Sequence, residues 1–80
     1  MGVYLVARLV DQTPDELTYW ACDGSDETNG ETLVIPRDNP ATAHTAGLDH
    51  LRRRSETMLG KILHTRNRTG EWPQVASLQA

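Results

Sequence analysis

Eighty residues, 38% hydrophobic and only 5% aromatic, are enough for one small domain, and a chain this short buries only about 60–65% of the surface it exposes unfolded. Charged residues at 24% and a net charge of −3 fit a globular chain rather than a disordered one, and no apolar run approaches the roughly 20 residues of a membrane span. Multidomain enzymes, collagen-like chains and disulfide scaffolds are excluded, the last because Cys22 is the one cysteine.

The net charge hides a split. Residues 1–40 hold eight acids against Arg8 and Arg37, for −6, whereas residues 41–80 hold six bases against Asp49, Glu56 and Glu71, for +3. Each half is therefore read separately. Seven arginines beside a single lysine, with abundant Ala and Thr, match the bias of a GC-rich bacterial genome.

Met1-Gly2-Val3-Tyr4-Leu5-Val6 has no basic region and no small-residue cleavage site, so it does not read as a signal peptide. Val6 also stands where a myristoylation signal needs Ser or Thr. With a lone thiol, the expected compartment is the reducing cytoplasm.

Val3–Val10 is β-branched and almost wholly apolar, which predicts a first strand. Thr13-Pro14-Asp15-Glu16 carries turn chemistry, and Leu17–Cys22, rich in aromatic and β-branched residues, predicts a second strand. Asp23–Glu31 reads as a polar hairpin loop with Asp-Gly and Asn-Gly signals. Thr32–Ile35, closed by Pro36, completes an antiparallel three-stranded meander over residues 1–36.

The acidic loop is not a calcium site. Starting an EF-hand at Asp23 puts Thr28 where Gly is required, and starting at Ser25 puts Pro36 where the bidentate Glu belongs.

Over residues 45–68, Leu48, Leu51, Met58, Leu59, Ile62 and Leu63 recur at helical spacing, with Ser55 filling a gap in the stripe. This predicts one long amphipathic helix, closed by Gly70 with Arg66 and Arg68 in its last turn. Asn39-Pro40 offers a second possible start for it. A polar stripe runs along the same helix through His50, Arg54, Thr57, Lys61, His64 and Arg68, with Arg53 beside it. A solvated helix face accounts for this stripe; as a candidate binding face, its basic residues suit an acidic protein partner or, alternatively, nucleic acid. No helix-turn-helix, Cys/His finger or aromatic RNA-binding sheet pair accompanies the stripe.

Residues 69–80 read as a short tail or helical turn, with Trp72, Val75 and Leu78 packing back on the domain. The fold class is therefore α+β: β-β-β, one helix and a tail. A single helix covers one face of such a sheet. Tyr4, Val6, Val10 and Trp20 would lie on the other, covered by the Trp72 tail or by a second copy meeting either the sheet face or the edge of the first strand. A homodimer is the expected assembly.

Catalytic and metal constellations are not legible. His50 and His64 are about 21 Å apart along a helix, too far to share a metal. Cys22 has no spaced partner, and no phosphate loop or serine elbow occurs. No cofactor is expected. The sequence points to a small cytoplasmic protein that acts by binding, as a homodimeric accessory or regulatory factor. A nucleic-acid-binding regulator is the alternative, and a dimeric small-molecule-binding protein or enzyme comes third.

Overall fold

Leu5, Ala7 and Leu9 alternate with Tyr4, Val6 and Arg8, while Leu17, Tyr19 and Ala21 alternate with Thr18, Trp20 and Cys22. Period-two patterning of this kind builds strands whose faces differ, and each becomes a strand in the computed structural model, which describes residues 4–24, 26–47 and 51–79. Six elements follow in order: β1 (Tyr4–Gln12), β2 (Glu16–Asp23), β3 (Asp26–Pro36), β4 (His44–Thr45), α1 (Arg53–Thr69) and β5 (Val75–Gln79). A single 3₁₀ turn, Pro40–Thr42, lies between β3 and β4.

The fold is α+β, but the sheet has five antiparallel strands in the order β4-β3-β2-β1-β5 rather than the three expected. Both additions are short. β4 pairs with β3 only at Leu33–Thr45 and Val34–His44. The tail, expected as a short tail or helical turn, instead pairs with β1 from Tyr4–Gln79 to Arg8–Val75.

Cross-strand rows show which face is filled. Ala76, Ala7, Ala21 and Glu31 form one row, and Leu9, Tyr19, Leu33 and Thr45 another, with Leu17 opposite Ile35. All but Leu9 and Glu31 are buried. Helix α1 closes this face with Ser55, Met58, Leu59 and Ile62, the i, i+3, i+4, i+7 set of one helical stripe. Each fully buried Leu or Ile here contributes roughly 1.5–3 kcal/mol relative to exposure.

The helix starts at Arg53 and not near Thr45. Thr45, β-branched and buried opposite Leu33, belongs to the sheet, and Gly47 at φ +81° then turns the chain away. Leu48, Asp49 and His50, the first turn of the expected helix, lie outside the described residues. The far end matches expectation: Gly70 is left-handed at φ 80°, and its N–H donates to the Arg66 carbonyl at 2.8 Å.

The expected loop over Asp23–Glu31 is mostly strand. Asp23 already pairs with Asp26, so the Asn29-Gly30 signal falls inside β3. A Cβ on Gly30 would run into the Ala21 carbonyl and Cys22, so the glycine serves a close strand approach and not a turn. The turn at Thr13 is as expected. Its N–H donates to the Glu16 carbonyl at 2.8 Å, and its hydroxyl accepts from the Glu16 N–H at 3.0 Å.

Two contacts fix the link between α1 and β5. The Arg66 guanidinium lies over the Trp72 ring, 5.6 Å from its centroid. The buried Tyr19 hydroxyl donates to the Pro73 carbonyl at 2.6 Å. Burial pushes the Tyr19 pKa up from 10.0 to about 12, with the Arg37 charge pulling the other way. Among the described residues no helix is long and apolar enough to cross a membrane.

Candidate functional site

Below the end of β4, the stretch Asn29–Glu31 of β3 has β2 on one side and, among the described residues, no strand on the other, where the start of α1 stands across from it. A cleft of about 540 Å³ results, lined by Asn29, Gly30, Glu31, Thr45, Arg52 and Arg54, with Ala46 and Gly47 at its rim. Strand alternation explains the carboxylate. Glu31 shares the helix-facing row with Ala21, two residues before Leu33 and four before Ile35. The Ser55 hydroxyl, buried in the apolar stripe, donates to Glu31 Oε2 at 2.8 Å. Ser55 is thus the donor for an inward-facing acid and not merely a gap in the stripe.

The two arginines sit differently. Arg52 Nε is 4.0 Å from Glu31 Oε2, and its side chain is 63% exposed against 18% for Glu31, so the pair itself adds little stability. Arg54 Nη1 donates to the Asn29 carbonyl at 3.1 Å, satisfying an acceptor on the open edge of β3. Arg52 is also the residue that precedes the first helical turn. Its extended backbone (φ −76°, ψ 158°) carries a side chain without an acceptor, so it does not cap the helix. Cations and an uncapped helix start therefore face one concavity that already holds a carboxylate. The guanidinium groups of such an arrangement can pair with an anionic group.

The sequence-predicted basic face divides. Arg53, Lys61, His64 and Arg68 are exposed along about 22 Å of α1, whereas Arg54 turns to β3 and His50 lies outside the described residues. Arg52, Glu31 and Asn29 were not candidates in the sequence. The legible signal was a pair of misfits, Glu31 in phase with Leu33 and Ile35 and Ser55 in phase with Met58, Leu59 and Ile62.

The predicted partner surface is also redistributed. Tyr4, Val6 and Trp20 share the face away from the helix, but Val6 is buried beside Cys22 and Trp20 is half-buried. Val10 is the extra residue at the register shift between Leu9 and Asp11 and is 61% exposed. Trp72 and Leu78 pack against the helix-side core, so the tail does not cover the outer face, and Val75 stays exposed instead of packing back. The edge of β1, one of the expected dimer routes, is taken by β5.

Among the described residues no group of three or more His, Cys, Asp or Glu side chains is placed to hold a metal ion. No protein-family model matches the chain, and neither the curated proteins nor the solved structures include a significant match.

Proposed function

We propose that this chain is a small cytoplasmic accessory or regulatory protein that acts by binding, and that its cleft takes an acidic segment of a protein partner. The observation that carries the reading is the convergence of Arg52 and Arg54 on one cleft at an uncapped helix start. Guanidinium groups pair carboxylates through two parallel hydrogen bonds, so a Glu- or Asp-bearing segment suits this site better than a compact metal or apolar ligand. Charge-assisted bonds of this kind contribute about 1.5–3 kcal/mol each, or roughly tenfold or more in affinity per arginine.

The exposed row of Arg53, Lys61, His64 and Arg68 supports a second reading, nucleic-acid binding along the outside of α1. One titration separates the two. Fluorescence anisotropy with a labelled oligoglutamate peptide at low salt is expected to show binding that Arg52→Gln with Arg54→Gln weakens on the order of a hundredfold. Lys61→Gln with Arg68→Gln should leave it unchanged. Binding of a labelled DNA or RNA oligonucleotide with the opposite mutant pattern replaces the first reading with the second. Absence of binding to both probes at low salt rejects both.

A further inference from the structure

We infer that two copies of this chain pair through the open edge of β5, joining their sheets into one continuous antiparallel sheet. Among the described residues β5 ends the sheet, with β1 on one side and no strand on the other. The Leu9 N–H donates to the Gln74 carbonyl at 2.8 Å, which makes that a hydrogen-bonded pair. Pairs two residues along, Ala7–Ala76 and Leu5–Leu78, are then hydrogen-bonded as well. Gln74, Ala76 and Leu78 therefore direct their backbone groups at β1, while Val75, Ser77 and Gln79 direct theirs at the open side.

Nothing in the strand's composition guards that side. Val75-Ala76-Ser77-Leu78-Gln79 has no charge and no proline, the devices that ordinarily keep an edge from templating another strand. The large exposed hydrophobics all lie on the two strands of this margin: Val75 at 58% on β5, Val10 in the bulge of β1 near it, and Tyr4 at 44% at the other end of β1, opposite Gln79. A foreign peptide would meet only five residues of backbone here. A second copy meets a self-complementary strand and adds its own apolar margin.

A twofold axis at Ser77 sets Ser77 against Ser77 and Val75 against Gln79, so every outward backbone group of the strand finds a partner. The pairing is independent of the cleft and stands or falls separately from it.

Sedimentation velocity from micromolar to near-millimolar protein tests this. The wild-type chain should dimerise. Ser77→Pro removes an outward N–H without touching the β1 bonds and should raise the dimer dissociation constant on the order of a hundredfold. Val75→Lys, at an exposed position, provides the same readout should the proline disturb folding. Ser77→Cys should form a covalent dimer on mild oxidation, because hydrogen-bonded cross-strand pairs stand about 5.5 Å apart at Cα, within disulfide range. A monomer at every concentration overturns the proposal, as does a dimer untouched by Ser77→Pro and Val75→Lys. Loss of the dimer in Val10→Lys but not in Ser77→Pro moves the contact to the outer sheet face and equally overturns it. Failure of the cross-link rejects the Ser77-centred register.

Discussion

The two edges of this sheet have the same backbone chemistry and opposite treatments. On one side β3 is overlaid by β4 at Leu33 and Val34, and by the Ala46 N–H at Thr32, and its open remainder is met by Arg54 at the Asn29 carbonyl. That edge also carries Asp26, Glu27 and Glu31 in its sequence. On the other side β5 is a bare run of uncharged residues. Both edges lie at the margin of one core, so the hydrophobic effect does not distinguish them. What differs is where charge was placed, and the acidic and basic halves of the chain meet at the guarded edge.

Truncations at the two margins should differ most. Leu33→Ala removes a fully buried side chain from β3 and is expected to cost about 3 kcal/mol, read as a shift in the urea midpoint. A cost under about 1 kcal/mol would mean that the guarded margin is loosely packed. Gly30→Ala should follow at roughly 2 kcal/mol, because its Cβ would meet the Ala21 carbonyl and backbone there gives way poorly.

Tyr19 links the interior to the bare edge. Its proton leaves the unfolded chain near pH 10 and the folded chain only near 12, so in that interval the unfolded state binds fewer protons. The stabilisation is therefore complete below pH 10 and declines as the pH rises through 12, by at most about 3 kcal/mol in total. Tyr19→Phe should cost about 1 kcal/mol at neutral pH through loss of the Pro73 hydrogen bond, and should flatten the alkaline decline in chemical denaturation curves. An unaltered decline would assign it to other groups. Smallest of all, Val75→Ala at the bare edge should change the stability of the monomer by less than about 0.5 kcal/mol. A larger loss in dilute protein would show that this side chain is already packed within one copy.

What the chain made legible follows the strength of its periodicity. Met58, Leu59 and Ile62 repeat at helical spacing and Gly70 stops them, so the body and end of α1 were readable, as were the Thr13 turn and the centres of the first three strands. The start of α1 was not, because Arg52, Arg53 and Arg54 are good helix formers and only the burial of Thr45 beside Leu33 assigns His44 and Thr45 to the sheet. β4 is two residues long and has no period to detect. β5 was hidden for a different reason: Ala76 and Leu78 are inward and Val75 and Ser77 outward, a pattern too short to separate from a turn without knowing that β1 lacked a neighbour. Asn29-Gly30 carried a strong turn signal that lost to the demand for a glycine against Ala21. The cleft needed both a strand phase and a helix phase to be known at once, since Glu31 and Ser55 are misfits only in those frames.

The order of the sheet also sets a timetable for the nascent chain. β1 gains its second neighbour only after residues 75–79 have been synthesised, so the first strand emerges with an open apolar edge while nearly the whole sequence is still being added. Contacts between segments this distant close late and slow the final step of folding. A nascent copy therefore carries an unpaired β1 edge, with Arg8 and Asp11 as its only charges, until β5 arrives to close it.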